Sequence, residues 1–351
     1  MLCLRPPAVL LAAALLAPGQ WPRQNPPAPE AAAPRAQQPQ PAPEQEPAPT
    51  IKVEVDVVNL MCSVRDRRGG LVGNLSKEDF LVSEEGRPQQ LKYFARESDL
   101  PLTLGLLVDV SRSQERLIGL EREAAAQFFS AVLREKDLAF LISFGSDAEL
   151  MQDLTSSTRQ LRAALDDLRV RSDAGGLHPG PVPTMSQPRG TVLYDAVYLA
   201  ANEKLRGEVG RKALVLITDG VDQGSRMRLE QAVEAAQRAD VIVYSIYYVD
   251  PQAYWGRGRG RGYGFGAPSN AALKRMSEET GGRLFEVSKR TPLPAIFEEL
   301  QQEMRSQYAL GYTPENPVRD GGFRRLEVHT RQKDLKVQAR KGYYAPAREA
   351  P

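Results

Sequence analysis

Three oxygen-bearing side chains stand at alternate positions directly after a nearly unbroken apolar run. The run covers residues 102–108 and stops at Asp109, and Ser111 and Ser113 follow just before an amphipathic stretch. Carboxylate and hydroxyl oxygens are the ligands that small hard cations such as Mg2+ prefer. Because an apolar run of this kind is typical of a strand buried on both faces of a parallel sheet, the pattern predicts part of a metal site at a strand end.

Two later segments carry oxygen ligands in comparable positions. Thr191 directly precedes a predicted helix, and Asp219 follows the apolar strand at 213–218. Ligands of open α/β sheets bind beyond the carboxyl ends of the strands, so these residues converge on one edge if the sheet is wound as predicted. The candidate metal ligands are Asp109, Ser111, Ser113, Thr191 and Asp219.

Each of these fragments alone also has a purely structural explanation. Asp109-x-Ser-x-Ser and Thr191 could cap the helices that follow them, and Asp219-Gly220 could be an ordinary turn. Taken together, in this order and each at a strand end, the fragments favour one shared site over three unrelated structural features.

The surrounding segments predict a doubly wound α/β fold. Apolar strands alternate with amphipathic helices, the strands at 102–108, 138–144, 213–218 and 241–248 and the helices at 114–134, 155–168, 191–205 and 226–239. A helix at 270–279, a short strand at 283–287 and a helix at 293–306 continue the pattern. Repeated strand–helix units with apolar strands indicate a mostly parallel sheet with helices on both faces.

Short strands with alternating apolar and polar residues are predicted on both sides of this α/β domain, which we place at 99–306. The N-terminal β segment covers 51–98, and the C-terminal one covers 307–346. Each segment alone would leave an apolar face uncovered. We therefore expect the two to pair into one β-sandwich, with the α/β domain inserted between them.

The N-terminus predicts export. Arg5 precedes an apolar run at 8–17, and small residues follow at 17–19, so residues 1–19 are typical of a cleaved signal peptide; an uncleaved membrane anchor is the alternative. Residues 20–50, rich in Pro, Ala, Gln and Glu, predict an extended linker. Because Cys3 lies in the signal peptide, Cys62 is left without a disulfide partner and is expected to be buried. These features predict a periplasmic or cell-surface protein with no transmembrane segment after cleavage.

Composition and motifs argue against several classes of protein. The 351-residue chain has 46 Lys and Arg against 44 Asp and Glu, a net charge of +2 that selects neither nucleic acid nor an anionic membrane. The sequence contains no Gly-x-x-x-x-Gly-Lys phosphate loop and no Gly-x-Ser-x-Gly elbow. Its two histidines, His178 and His329, lack the partner pattern of a zinc or nucleophile–base site. We therefore expect a protein that is not an enzyme.

One segment has an unusual composition. Residues 255–266 read WGRGRGRGYGFG, with three arginines between glycines. Similar segments bind nucleic acid, but the predicted export argues against such a partner. We expect a flexible loop near the metal edge that helps to contact an acidic partner.

The ligand pattern resembles the von Willebrand factor A domain and its metal-ion-dependent adhesion site, in which an Asp-x-Ser-x-Ser motif, a distant Thr and a later Asp surround a divalent cation. The resemblance implies that Ser111, Ser113 and Thr191 offer hydroxyls to the ion, directly or through water, while Asp109 and Asp219 supply negative charge. It also implies an open coordination position that an acidic residue of a partner protein fills.

The flanks resemble a narrower group, the exported bacterial family called the VWFA-related Acidobacterial domain. The similarity lies in segments 75–94, 190–197, 306–314 and 323–345, and it implies secretion and an A-type domain inserted between β segments. Arg112 and Gln114 depart from the small residue and the Met common in the Asp-x-Ser-x-Ser-Met form. The guanidinium of Arg112 is expected either to weaken metal affinity or to select a more acidic ligand.

The sequence thus favours an exported, adhesion-type protein-binding module that holds an Asp or Glu carboxylate of its partner through bound Mg2+ or Mn2+. Two alternatives remain. One is a structural or assembly subunit of a cell-envelope complex, in which the metal only stabilises the fold. The other is a metal-dependent hydrolase that uses the ion to activate water.

Overall fold

The computed structural model describes residues 57–96, 100–170, 190–255 and 267–347. Its strands are β1 (Val58–Arg65), β2 (Phe80–Glu84), β3 (Arg87–Gln89), β4 (Leu91–Arg96), β5 (Leu102–Asp109), β6 (Leu138–Phe144), β7 (Ala148–Thr155), β8 (Arg211–Thr218), β9 (Val241–Tyr247), β10 (Leu284–Glu286), β11 (Tyr308–Tyr312), β12 (Phe323–Thr330), β13 (Lys336–Ala339) and β14 (Gly342–Tyr344). Its α-helices are α1 (Ile118–Val132), α2 (Thr158–Asp166), α3 (Leu193–Leu199), α4 (Leu229–Arg238), α5 (Pro251–Trp255), α6 (Ala271–Thr280) and α7 (Leu293–Arg305).

The central sheet has six strands in the order β10-β9-β8-β5-β6-β7. Strands β5, β6, β8, β9 and β10 are parallel, and β7 is antiparallel to β6 at one edge. Helices α1, α2 and α7 cover one face, and α3, α4 and α6 cover the other. Every residue of β5 is buried, as its unbroken apolar sequence predicts for a central strand. The predicted doubly wound, mostly parallel α/β fold is confirmed.

Two antiparallel sheets flank this domain, in the orders β13-β1-β11-β4 and β14-β12-β2-β3. Each sheet combines strands from both ends of the chain, because β11 pairs with β1 and β4, and β12 pairs with β2. Apolar side chains from both sheets form one core, which includes Leu60, Phe80 and Tyr308. The β segments on either side of the inserted α/β domain therefore do pair with each other. We propose 51–98, 99–306 and 307–346 as the boundaries of the three parts.

Cys62 lies in that core, as expected, and burial raises the pKa of its thiol to about 12. The thiol therefore stays protonated and unreactive at neutral pH. None of the helices in the described ranges combines the length and the apolar character needed to cross a bilayer.

Local boundaries differ from the sequence prediction in three places. Helix α2 begins at Thr158 with Ser157 as its cap, because β7 continues to Thr155. A 3-10 turn at Arg112–Gln114 precedes α1, so the regular helix starts only at Ile118. A short helix, α5, occupies a position where a loop was predicted.

The predicted signal peptide and linker, with Cys3, lie outside the described residues. The same holds for residues 171–189, which include His178, and for residues 256–266 of the arginine-rich segment. His329 lies on β12 in a flanking sheet.

Candidate metal site

The two candidate aspartates lie at the carboxyl ends of neighbouring strands. Asp109 is the last residue of β5, and Asp219 directly follows β8. The strands are parallel and Val108 is paired with Ile217, so the chain emerges from both at the same edge of the sheet. Both carboxylates are almost completely buried, with exposed fractions of 0% and 1%.

Hydrogen bonds join the serines after β5 to the aspartate after β8. Ser113 Oγ donates to Asp219 Oδ2 at 2.6 Å, and Ser111 Oγ lies 2.9 Å from Ser113 Oγ. Gln114 Nε2 donates to the same Asp219 oxygen at 3.0 Å. The structure therefore brings Ser111, Ser113 and Asp219 together, and Gln114 joins them where the adhesion-site pattern more often has a methionine.

Asp109 is held by the backbone of its own turn and by the end of β8. Its Oδ1 accepts a 2.9 Å hydrogen bond from the Ser111 amide, and its Oδ2 accepts one of 2.6 Å from Thr218 Oγ1. Burial, and secondly the charge of Asp219, raise the pKa of Asp109 to about 7. Two carboxylates at this depth need a nearby positive charge to remain ionised together.

Thr191 lies between the loops that follow β6 and β8. The amide of its neighbour Val192 donates to Gly145 O at 2.9 Å, and a Cβ atom at Gly145 would lie 3.7 Å from the Ser111 amide nitrogen. The Thr191 carbonyl accepts hydrogen bonds from Gln223 and the next residue, both at 3.0 Å. Thr191 is 9% exposed, so the structure places it at the same sheet edge, in a buried position.

Gly220 allows the chain to turn away directly after Asp219. Its φ of +75° lies in the left-handed region, and a Cβ atom there would approach Ser269 O to 2.1 Å. The Ser269 amide in turn donates to the Asp219 carbonyl at 3.3 Å. A side chain at position 220 would therefore displace the backbone that holds Asp219.

Sequence reasoning missed three residues of this site. Thr218 supports Asp109, and Tyr254 of α5 donates from its hydroxyl to Asp219 Oδ2 at 2.6 Å. Glu121 of α1 is 1% exposed, and burial, followed by the charges of Asp109 and Asp219, raises its pKa well above the ordinary value. Of the three, only Thr218 could have been recognised from the sequence, because its hydroxyl side chain directly precedes Asp219 at a strand end.

The site has buried acceptor atoms that lack donors. Within the described residues, Gln114 Oε1 and both carboxyl oxygens of Glu121 have no hydrogen-bond partner. Orphaned buried acceptors cost free energy, which a cation or a donor can offset. Two more buried carboxyl groups, those of Asp109 and Asp219, make this edge of the sheet rich in acceptor oxygens.

The donor set fits a small divalent cation bound mainly through hydroxyls. Within the described ranges, no group of three or more His, Cys, Asp or Glu residues is placed to hold a metal ion. Octahedral Mg2+ has ligands at about 2.0–2.1 Å, which places adjacent ligand oxygens about 2.9 Å apart. The 2.9 Å between Ser111 Oγ and Ser113 Oγ matches that spacing.

Comparison with known proteins gives distant similarities. No family model matches the chain. A Borreliella burgdorferi protein described as uncharacterized is 24% identical over 137 residues, which is 39% of this chain and 36% of the relative. The chain thus aligns with about a third of that relative's length.

Several solved structures resemble part of the chain. Proximal thread matrix protein 1 from the mussel byssus, solved with a zinc-occupied metal-ion-dependent adhesion site, is 15% identical with a TM-score of 0.46, over 63% of this chain and 50% of that one. An aerotolerance-related membrane protein from Bacteroides fragilis is 18% identical with a TM-score of 0.41, over 58% of this chain and 98% of that one. The SpRpn10 VWA domain is 12% identical with a TM-score of 0.37, over 57% of this chain and 95% of that one.

The central domain has a doubly wound α/β fold. Its six-stranded sheet has a single antiparallel edge strand. The polar cluster lies at the carboxyl ends of β5 and β8, the position at which α/β sheets bind ligands.

Proposed function

We propose that the chain is an exported protein-binding module that holds an acidic side chain of a partner protein through a bound divalent cation, Mg2+ or Mn2+. Asp109, Ser111, Ser113, Thr191 and Asp219 would hold the ion. The observation that carries this proposal is the hydrogen-bonded chain from Ser111 through Ser113 to Asp219, which joins two distant segments at one sheet edge.

The chemistry of these side chains suits the capture of a carboxylate. Serine and threonine hydroxyls are neutral ligands, so they leave much of the charge of a divalent cation uncancelled. A cation in that state still attracts an external carboxylate. Export rests on the signal-like residues 1–19, and it would place the module in the periplasm or at the cell surface.

One structural feature favours a second candidate function. Asp109 and Asp219 are 0% and 1% exposed, which also suits an ion that only stabilises the fold. In that case the protein would be a structural or assembly subunit of an envelope complex. The two candidates differ in whether removing the ion abolishes partner capture or only lowers the melting temperature.

The experiment has two stages. Calorimetry of the purified protein with Mg2+ and with Mn2+ tests uptake, and Asp219→Ala should abolish it. Asp334→Ala, in the exposed turn after β12, is the matched control. Pull-down from native envelopes with and without EDTA should then recover a partner only when the cation is present. Absence of metal uptake by the wild-type protein would refute the proposal, and EDTA-insensitive capture would favour a structural ion.

A further inference from the structure

Helix α5 (Pro251–Trp255) places a tyrosine hydroxyl at the candidate metal site. Tyr254 Oη donates to Asp219 Oδ2 at 2.6 Å. A tyrosine phenol is protonated at neutral pH, so it acts as a hydrogen-bond donor to this carboxylate. Helix α5 lies outside the Asp-x-Ser-x-Ser pattern, and none of the five proposed metal ligands belongs to it.

The tyrosine completes the hydrogen bonding of the Asp219 oxygen that faces it. That oxygen already accepts from Ser113 Oγ at 2.6 Å and from Gln114 Nε2 at 3.0 Å. A carboxylate oxygen offers about two lone-pair positions, so three donors crowd it. The Tyr254 hydroxyl therefore competes with a cation, or with a water bound to a cation, for access to Asp219 Oδ2.

The attachment of α5 to the domain is local and exposed. The Arg116 guanidinium donates to Gln252 Oε1, and its Nε lies 3.9 Å from Asp250 Oδ2. The Arg116 side chain is 64% exposed and that of Asp250 is 9% exposed, so solvent screens the guanidinium side of this pair. Neither contact involves a strand of the central sheet.

Access to the site depends on such a movement. Ser113 and Thr191 are each 9% exposed, and Asp219 is 1% exposed. A partner carboxylate must reach a cation held by these residues, which requires the covering side chains to move. Tyr254 is half-buried and donates to Asp219 from a five-residue helix, so it is one of the side chains that cover the site.

We propose that α5 is a latch: Tyr254 closes the site while its hydroxyl is bonded to Asp219, and a divalent cation displaces that hydroxyl and so opens the site to an acidic partner. This inference rests on the proposed function, since it assumes that the site takes a cation. The tyrosine hydroxyl and the cation compete for one carboxylate oxygen. Because the cation binds better when the hydroxyl has left, it shifts the population toward the open state.

The test is calorimetric titration of the full chain with Mg2+ and with Mn2+. Tyr254→Phe keeps the ring and removes the competing hydrogen bond, so both cations should bind about tenfold tighter. Arg116→Ala loosens the anchor and should change affinity in the same direction. Tyr93→Phe, at an exposed position on β4, is the control and should match the wild type.

Amide hydrogen exchange supplies a readout that does not depend on affinity. In the wild-type protein, Mg2+ should speed exchange at Gln252 and Ala253, whose amides donate to the Asp250 side chain and carbonyl just before the helix. Unchanged or weaker cation binding by Tyr254→Phe would overturn the latch while leaving the metal site intact. If neither the wild-type protein nor Tyr254→Phe binds a cation, the proposed function fails together with the latch. Cation uptake by Tyr254→Phe and not by the wild type would support both the metal site and the latch.

Discussion

The hydroxyl of Ser113 donates a 2.6 Å hydrogen bond to Oδ2 of Asp219, which lies 106 positions later in the chain. The bond is possible because β5 and β8 are parallel neighbours whose carboxyl ends coincide. It connects the turn after the first central strand to the turn after its neighbour. Ser113 is therefore one of the residues, with Gln114 and Thr218, that connect the two halves of the candidate metal site.

Replacement of Ser113 by alanine should weaken cation binding with little effect on stability. The change removes a hydroxyl ligand and a donor to Asp219 together, so Mg2+ affinity should fall by a factor of about ten or more. Calorimetric titration measures the loss. Ser130→Ala, whose hydroxyl bonds only Ala126 O within α1, is the matched control. A Ser113→Ala protein that binds Mg2+ like the wild type would show that the serine is a structural cap.

Thr218 should contribute to both stability and metal binding. Its hydroxyl donates to Asp109 Oδ2 at 2.6 Å and accepts from the Gly220 amide at 3.1 Å, in a fully buried position. Thr218→Val leaves both partners unsatisfied, which should lower the free energy of unfolding by about 1–3 kcal/mol. Urea denaturation measures this change.

The control for Thr218→Val is Thr155→Val at the end of β7, where the hydroxyl donates to the exposed Gln160 side chain and accepts from the Ser157 amide. That change should stay within about 0.5 kcal/mol. Equal effects of the two substitutions would contradict a special role for Thr218 beneath the site.

Glu121 should make stability depend on pH in the absence of metal. Its pKa is raised in the folded protein, so the folded state binds this proton more tightly than the unfolded state does. The favourable contribution is present below the ordinary value of 4.5 and is lost as pH rises toward the folded pKa. Glu121→Gln should therefore be more stable than the wild type at neutral pH, by an amount that shrinks toward pH 4.

Urea denaturation in EDTA across that pH range measures the effect, and Glu123→Gln on the exposed side of α1 is the control. Mg2+ should reduce the difference between Glu121→Gln and the wild type, because a nearby cation favours the ionised carboxylate. A pH-independent difference would mean that Glu121 does not change its proton occupancy on unfolding.

The central sheet and the edge at which the candidate site lies could be predicted because they follow from simple patterns. Strand β5 is apolar throughout, as a strand covered by helices on both faces must be. Parallel packing then places Asp109 and Asp219 at one edge without further information. The pairing of the two terminal β segments followed from their uncovered apolar faces.

Residues whose role depends on tertiary packing could not be predicted in this way. Glu121 and Glu303 are charged residues in amphipathic helices, and periodicity alone assigns such residues to solvent although both are buried. Tyr254 lies in a five-residue helix between a strand and an arginine-rich stretch, where composition indicates a loop. Its contact with Asp219 depends on the path of the chain after β9, which no local pattern encodes.

Glu303 links the α/β domain to the flanking sheet through a buried ion-pair network. It lies on α7 with no exposed surface, accepts from Arg65 Nη2 on β1 at 2.6 Å and lies 3.4 Å from Arg283 Nη2. Ser63 Oγ of β1 also donates to it, at 3.2 Å. Removing one partner of a buried pair leaves the other charge uncompensated, which typically costs about 3–5 kcal/mol.

Glu303→Ala should therefore lower the free energy of unfolding by several times more than Glu234→Ala, which removes the exposed pair with Arg238 on α4. Urea denaturation followed by circular dichroism measures both variants. The loss should be common to the flanking sheets and the α/β domain, because the network joins them, so hydrogen exchange should speed up in β1 as well as in α7. Faster exchange confined to α7 would contradict a role in holding the two parts together, since β1 would then keep its protection without the buried carboxylate.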